Sequence, residues 1–272
     1  MEEKRVTIVM TVRETYDLTL QTIDSLIKNT TVPYRFIFVN YKVPEFILQQ
    51  IMLHEDIEIV VSDSPYPSVS MCQIIPLINT QYSVFLDNNI LFASFWLEKL
   101  IECMETNNAG IVGPVYLWNK NKIHMFGGDI NINNNNFMEK HYLVNESNDI
   151  IKNLKPRKCD YVEFHCLMVR TDLLKMGILD PSILMIHEHI DLSLSAKKLG
   201  YATYTTPYSM ITYVNEVELT EYDLSLFKER WNTVIAEKDI QYFCKKWGFH
   251  YNNTFDNVRN FVKNHIRKYL NR

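Results

Sequence analysis

The chain has 272 residues, a formal net charge of −4 and a hydrophobic fraction of 47%, which suits one large domain with an appended segment. Charges of both signs are spread along the sequence, so there is no basic footprint for nucleic acid and we expect no nucleic-acid partner. The seven glycines form neither GxGxxG nor GxxxxGK[ST], which excludes the common glycine-rich phosphate loops.

The cysteines and the N-terminal segment indicate in which cellular compartment the protein is expected. The five cysteines are scattered, odd in number and without a CxxC pair, so neither a zinc knuckle nor a disulfide framework is indicated. The apolar run near the N-terminus is too short for a signal peptide, and no segment approaches ~18 uninterrupted apolar residues. We therefore expect a cytoplasmic protein.

Strand and helix patterns alternate along the first half of the chain. Continuous apolar runs predict strands at Val6–Val12, Phe36–Val39, Ile57–Val61, Tyr82–Leu86 and from Gly110 onward. Apolar residues at helical spacing predict helices at Tyr16–Asn29, Glu45–Leu53, part of Val69–Asn79 and Phe95–Thr106. Repeated βα units are typical of a mostly parallel central sheet flanked by helices, which binds ligands at the carboxyl ends of its strands.

The middle of the chain has a different character. Residues 114–160 are rich in asparagine and turn residues, which favours long surface loops or a flap. Regular signals then resume, with strands predicted at Val162–Val169, Thr203–Thr205 and Met210–Val214 and helices at Thr171–Met176 and Ile190–Leu199.

From Glu216 the chain becomes helical and more basic, so we divide it into a domain at 1–215 and a C-terminal helical extension at 216–272. An apolar stripe at helical spacing near the C-terminus comprises Phe255, Val258, Phe261, Val262, Ile266, Tyr269 and Leu270. Packing of this stripe on its own domain is the favoured interpretation. The alternative is peripheral contact with the inner face of a membrane, because basic residues flank the stripe.

The segment IHEHIDLSLSAKKLGY places acids and imidazoles at the start of a predicted helix. Glu188, His189 and Asp191 crowd its first turn, where backbone N–H groups favour negative charge. The simpler interpretation is that the two acids complement the helix dipole. The functional one is that an acid or imidazole there accepts a proton from a substrate hydroxyl.

A second candidate site is LDNN at the end of the fourth predicted strand. Asp87 and the amides of Asn88 and Asn89 could supply oxygen ligands to a hard cation that bridges a diphosphate. A plain turn is the competing interpretation, because Asp and Asn satisfy turn backbone.

Several segments in order resemble the inverting family 2 glycosyltransferases, which have the GT-A fold. The resemblance covers roughly residues 5–215, and a Phe-x-x-Lys-Trp-Gly element follows it. The segments are VTIVMTVRETYDLTLQTIDSLIKNT, YRFIFVN, YSVFLDNNILFASFWLEKL, GIVGPVYLWNKNKIHMFGGDI, VEFHCLMVRTDLLKMGILDPSILMIHEHIDLSLSAKKLGY and FCKKWG. They resemble the family's first two strands, its Asp-x-Asp strand, its Gly-Pro strand and its Glu-Asp-x-Asp block.

The resemblance implies a nucleotide-sugar donor, an acceptor hydroxyl on a glycan or another molecule, and a divalent cation, Mn²⁺ or Mg²⁺. The positions it places at the donor are Thr11, Arg13, Glu14, Asn40, Asp63, Asp87 and Asn88. Asp87 and Asn89 fall on the two metal-binding positions of Asp-x-Asp. Glu188 matches the Glu of Glu-Asp-x-Asp, His189 falls on the family's general base, and Asp191 matches the final Asp.

This sequence departs from the family pattern at the metal-binding positions and at the position of the general base. Asn89 is neutral, and Tyr213 stands roughly where many members have a metal-ligating His. The imidazole of His189 is a sensible base, because its ordinary pKa of ~6.5 lies nearer the working pH than the ~3.9 of Asp. We expect Glu188 or Asp191 to orient the ring.

The expected activity is that of a hexosyltransferase-like inverting enzyme, which moves a sugar from a nucleotide-sugar to a hydroxyl in glycan or cell-surface polysaccharide biosynthesis. The alternative is a catalytically impaired GT-A domain that acts as a binding or scaffolding module. A nucleotidyltransferase is a third reading, disfavoured because a glycine-rich phosphate loop is missing.

Overall fold

The computed structural model describes residues 3–118, 121–214, 218–250 and 254–270, with side chains in the last range from 259 to 269. The helices are α1 Thr19–Asn29, α2 Glu45–Met52, α3 Pro67–Ile74, α4 Trp96–Thr106, α5 Thr171–Lys175, α6 Glu188–Lys198, α7 Asp223–Arg230, α8 Thr233–Trp247 and α9 Thr254–Leu270. The strands are β1 Val6–Thr11, β2 Tyr34–Asn40, β3 Ile57–Val61, β4 Tyr82–Asp87, β5 Ile90–Phe92, β6 Ile111–Trp118, β7 Lys122–Met125, β8 Gly128–Asn133, β9 Asn136–His141, β10 Arg157–Cys159, β11 Cys166–Arg170 and β12 Thr203–Tyr213.

The central sheet runs in the order β10-β12-β6-β11-β4-β1-β2-β3, with β5 on β12 and β7 on β6. Its β4-β1-β2-β3 half is parallel, as the alternating βα units predict. In the other half β11 runs antiparallel between β4 and β6. Apolar side chains cover both faces of the sheet, which explains why its strands read as continuous apolar runs.

Several predicted boundaries differ from the structure, and two of these differences have an identifiable cause. The two closing strands are one strand, β12, with a register shift between Thr206 and Met210. A bulge of this kind lets one strand change its side-chain alternation while it remains paired. Helix α1 begins at Thr19 rather than Tyr16, because the N–H of Tyr16 donates to the carboxylate of Asp223 over 2.7 Å and holds the preceding loop.

The prediction of long loops over residues 114–160 is wrong for most of that range, and its alternative, a flap, stays a prediction. Strand β6 continues to Trp118, β7 folds back on it, and β8 and β9 form a separate hairpin. The hairpin turn consists of Asn134 and Asn135, both with positive φ, at 48° and 62°. Asparagine tolerates this conformation, and two such residues make the tight turn that suits twisted strands. The asparagines therefore mark a hairpin turn.

The C-terminal helices pack on the sheet domain. The Asp223 carboxylate of α7 also accepts a hydrogen bond from the hydroxyl of Thr15 over 3.0 Å. In α9, Val262 is fully buried, and Ile266 and Tyr269 pack against the main core. These contacts support packing of the apolar stripe on its own domain. The side chains of Phe255, Val258 and Leu270, and the proposed division at 215/216, lie outside the described residues.

The hairpin meets the sheet through a close approach at Gly128. A Cβ added there would lie 2.1 Å from Cζ of Tyr161, which is fully buried. A side chain at position 128 would therefore displace the ring or the hairpin.

We predict that Gly128→Ala lowers the free energy of unfolding by ~1–3 kcal/mol, because a methyl group overpacks the contact with Tyr161. The measurement is urea denaturation followed by circular dichroism. Ile132→Ala is the control, since Ile132 is exposed on the same hairpin and its loss should cost under ~0.5 kcal/mol. Equal destabilisation by both changes would contradict this account of the glycine.

Candidate functional site

A cavity of about 470 Å³ opens beside the carboxyl end of β1. Four parts of the chain form its walls: the loop after β1, the β8–β9 hairpin with Glu163, the start of α6, and the C-terminal helices. The lining residues are Arg13, Phe137, Met138, Glu139, His141, Glu163, Met185, Ile186, His187, Glu188, His189, Trp231 and Phe261. The volume suits a drug-sized ligand.

The first turn of α6 reaches this cavity because α8 holds the chain before it. The Asp239 carboxylate of α8 accepts hydrogen bonds from three consecutive backbone N–H groups, those of Leu184, Met185 and Ile186, over 3.1, 2.6 and 3.0 Å. His187 then adopts a left-handed conformation, with φ of 65°, and α6 starts at Glu188. This turn aims residues 187–189 at the cavity.

Glu188 is 5% exposed. Burial raises the pKa of its carboxyl to about 8, although the positive charges of Arg230 and Arg13 oppose the shift. The carboxyl is therefore largely protonated at neutral pH. Its Oε2 atom has no hydrogen-bond partner among the described residues.

His189 faces the carboxylate of Glu163, with Nε2 3.8 Å from Oε1. His141 approaches the same oxygen, with Nε2 at 3.3 Å. Burial alone would raise the pKa of Glu163, but the charges of the surrounding histidines, His189 first, hold it well below its usual range. Burial lowers the pKa of His189. The ring thus faces a carboxylate that stays ionised.

The carboxylate at the His189 ring is that of Glu163, and not that of Glu188 or Asp191 as the sequence predicted. Glu163 precedes β11 and His141 ends β9, so only the tertiary fold brings them to α6. The sequence contains one signal for these two residues. Histidines and acids occur at the ends of predicted or unrecognised strands, in KIHM, EKH and VEFH.

Asp191 is 1% exposed and does not line the cavity. Its Oδ2 accepts a hydrogen bond from Nζ of Lys246 and its Oδ1 one from Nε1 of Trp247, each over 2.8 Å. Lys246 also donates to Asp180 over 2.7 Å. The FCKKWG element of α8 therefore clamps α6, and the position of Asp191 is explained by this clamp.

Asp87 ends β4 behind the cavity wall. Its Oδ2 lies 3.1 Å from Nη1 of Arg13 and 2.7 Å from Nδ1 of His165. His165 is buried, and Tyr213 stacks on its ring with centroids 4.1 Å apart. Despite the burial of Asp87, the charge of Arg13 and then the His165 hydrogen bond hold the pKa of its carboxyl below the usual range.

Asn88 joins this network through backbone contacts. Its side-chain oxygen accepts from the N–H of Arg13 over 3.0 Å, and its amide nitrogen donates to the carbonyl of Thr15 over 2.6 Å. The amide thereby fixes the loop after β1. Asn88 is fully buried, so its contacts in this structure are with the chain itself.

The other predicted donor positions divide into two groups. Thr11 and Glu14 are buried near Arg13, and Glu14 contacts α9 through Nε2 of His265 over 3.0 Å. Asn40 and Asp63 are not brought to this cavity. The Asn40 side chain accepts from the N–H of Val43 over 3.1 Å, and Asp63 is exposed after β3, separated from β4 by β2 and β1.

Comparisons with known proteins bear on the fold. No protein-family model matches the sequence, and no curated protein matches it. Solved structures do match, among them a crystal structure of GalNAc-T7 with UDP, GalNAc and Mn²⁺, with a TM-score of 0.64 and 13% sequence identity. The match covers 97% of this chain and 55% of that one, so the chain spans about half the length of that structure. The chain has the GT-A fold.

The predicted cation position of this GT-A domain can be tested against its residues. Mn²⁺ and Mg²⁺ need several oxygen ligands, usually with anionic charge. Asp87 is the one carboxylate of the Asp-Asn-Asn tip, and its Oδ2 is already shared by a guanidinium and an imidazole. Asn89 adds a neutral oxygen, which is buried and lacks a hydrogen-bond partner in the described structure. In this arrangement the residues do not fit a divalent cation, because Arg13 supplies the neutralising charge.

One further question about the helices of this GT-A domain is whether any of them could span a membrane. No helix in the described ranges combines the length and apolar character that a membrane span requires. Peripheral contact through α9 stays a prediction.

The Asp191 clamp leads to a stability prediction. Asp191→Ala should lower the free energy of unfolding by ~1–3 kcal/mol, because it leaves Nε1 of Trp247 without its partner and removes one of the two carboxylates that Lys246 contacts. Urea denaturation measures the change. Glu102→Ala is the matched control, since its ion pair with Lys99 is exposed and should contribute under ~0.5 kcal/mol. A wild-type stability for Asp191→Ala would show that the clamp does not hold α6.

A second prediction concerns pH and Glu188. Between the ordinary pKa of 4.5 and the folded-state pKa of about 8, the folded state holds a proton that the unfolded state releases. This group therefore makes folding progressively less favourable as pH rises through that window. Glu188→Gln removes the effect, so the stability of the variant relative to wild type should increase between about pH 5 and about pH 8.

Urea denaturation of both proteins at the two pH values measures this difference. Glu55→Gln, which changes an exposed carboxylate, should give the same difference from wild type at both. A Glu188→Gln difference that does not change with pH would show that Glu188 has no raised pKa.

Proposed function

We propose that this protein is an inverting glycosyltransferase that moves a sugar from a nucleotide-sugar donor to an acceptor hydroxyl. The observation that carries the proposal is the shared cavity, which has Arg13 at one side and the His187–His189 turn at the other within a GT-A fold. The resemblance to family 2 supports inversion. The neighbour's bound UDP, GalNAc and Mn²⁺ support a nucleotide-sugar and a cation as ligands of such a fold.

His189 is the proposed general base. The acceptor oxygen attacks the anomeric carbon while the bond from that carbon to the diphosphate breaks, and the hydroxyl proton passes to the imidazole. Glu163 then stabilises the imidazolium, because its carboxylate lies 3.8 Å from Nε2 of His189. This pairing follows the general logic of a base oriented by a neighbouring carboxylate.

Arg13 is the proposed counter-charge for the leaving diphosphate. It lines the cavity, and its guanidinium lies over the ring of Trp231 at 5.7 Å. Its Nε lies 3.7 Å from Oε1 of Glu14 and makes no hydrogen bond to the described groups. A guanidinium recognises phosphate oxygens in planar geometry. Glu188, with a pKa of about 8, is mostly neutral at pH 7, which avoids repulsion of the anionic donor.

The remaining expectations are also proposals. They are a catalytic role for Glu188, donor contacts for Thr11 and Glu14, a glycan acceptor, and a cytoplasmic place in polysaccharide biosynthesis. The contacts described above speak against a Mn²⁺ or Mg²⁺ role for Asp87 and Asn89, a catalytic role for Asp191, and donor contacts for Asn40, Asp63 and Asn88. The contacts described above favour Glu163 over Asp191 as the partner of the base.

The test combines donor binding with turnover. Thermal shift with UDP-, GDP- and dTDP-sugars, with and without Mn²⁺, identifies a donor by the rise in melting temperature that binding produces. With that donor, His189→Gln should cut turnover by ~10²–10⁴ and leave the shift nearly unchanged, because the base acts on the acceptor. His54→Gln, in the loop after α2, serves as the control with wild-type turnover.

Two outcomes would contradict the proposal. Full turnover by His189→Gln would remove His189 from the mechanism. No shift and no turnover with any donor would favour the scaffolding alternative. The specific observation for that alternative is that Asp87 is already paired with Arg13 and His165 and so is not free to bind a cation.

A further inference from the structure

A cluster of imidazoles surrounds Glu163 at the hairpin side of the cavity. His124 comes from β7, His141 from β9, and Glu163 from the segment before β11. One ligand atom of each lies within 4.8 Å of the ligand atoms of the other two. The three residues are far apart in sequence, so the fold itself assembles the cluster.

The contacts inside the cluster leave nitrogen atoms without partners. Nδ1 of His124 and Nε2 of His189 are buried and make no hydrogen bond to any described group. The distances from Glu163 Oε1 to His141 and His189, 3.3 and 3.8 Å, exceed a good hydrogen bond. A buried polar atom without a partner is destabilising, and an ion or water at the site is the usual explanation.

Two imidazoles and one carboxylate are a known ligand chemistry for first-row transition metals. Such sets bind zinc with water in a fourth position, and also iron in open facial sites. Metal–ligand distances near ~2.1 Å place ligand atoms roughly 3.4 Å apart, so the observed spread requires side-chain adjustments on the order of 1 Å. Imidazole ligands disfavour Mg²⁺ and Ca²⁺, which prefer oxygen.

The cluster has an accessible face. His141 and Glu163 line the cavity, and their side chains are 24% and 13% exposed. His189 lies beside the same face. An ion bound by the three residues would therefore have an open position toward the cavity, which suits an oxygen ligand.

The cluster is distinct from the Asp87 position. His165 lies between them: its Nδ1 contacts Asp87 over 2.7 Å, while its ring centroid is 5.7 Å from that of His124. Asp87 is paired with Arg13 and does not belong to the three-residue set.

We propose that His124, His141 and Glu163 bind one divalent transition-metal ion of the zinc type, with an open coordination position facing the cavity. The site does not depend on the proposed transferase activity, since its ligands and geometry stand without a donor.

The experiment titrates the metal-stripped 272-residue chain with Co²⁺ alone, as a spectroscopic probe, and then with Zn²⁺ as competitor. We expect one equivalent of Co²⁺ to produce a visible absorption band that Zn²⁺ abolishes. His141→Gln and Glu163→Gln should each weaken binding by at least about 100-fold, because ligand loss exceeds the roughly 10–100-fold effect of outer-shell changes. His54→Gln and Asp87→Asn should bind Co²⁺ as wild type does.

Circular dichroism checks that each variant is folded, and anomalous scattering from Zn²⁺-soaked wild-type crystals locates the ion without any variant. Zinc density between His124, His141 and Glu163 supports the proposal. Unchanged binding by His141→Gln and Glu163→Gln, loss of binding in Asp87→Asn alone, or zinc elsewhere in the crystal would overturn it. The titration contains no nucleotide-sugar, so its result is separate from the test of sugar transfer.

Discussion

The buried carboxylate of Asp87 is the contact around which this site is arranged. It sits at the end of β4 between the guanidinium of Arg13 and the imidazole of His165. The contact joins the loop after β1, the end of β4 and the segment before β11. A buried carboxylate is costly unless it is paired and hydrogen-bonded, so these three segments are tied to one geometry. Arg13 is thereby held at the cavity wall.

The opposite wall depends on α8. Asp239 holds the three backbone N–H groups before α6, and Lys246 and Trp247 hold Asp191 within it. Asp239 and Asp191 therefore hold α6 in place, whereas the sequence suggested a catalytic role for Asp191. Trp231 and Phe261 complete the cavity from the same C-terminal region. A site built this way requires the helices beyond residue 216 as well as the GT-A sheet.

The surroundings of two carboxyl groups in the cavity give them different charges. Glu163 stays ionised among histidines, whereas burial keeps Glu188 largely protonated. Two carboxyl groups on one cavity thus differ in charge at neutral pH. Such a separation is typical of sites where an anionic ligand and a proton transfer must coexist. The hairpin contributes His141 to this arrangement.

The sequence by itself determined the βα half of the sheet, helix α6 to within two residues of its start, and the resemblance that led to the GT-A fold, because apolar periodicity and motif order are local properties. It also singled out Asp87, Arg13 and the 187–189 turn. The β8–β9 hairpin could have been found from its asparagine turn. Only the tertiary structure decided the partners of these groups: Arg13 for Asp87, Lys246 for Asp191, and Glu163 for His189. Those pairings join residues that are distant in the chain, and no local pattern encodes which buried charges meet.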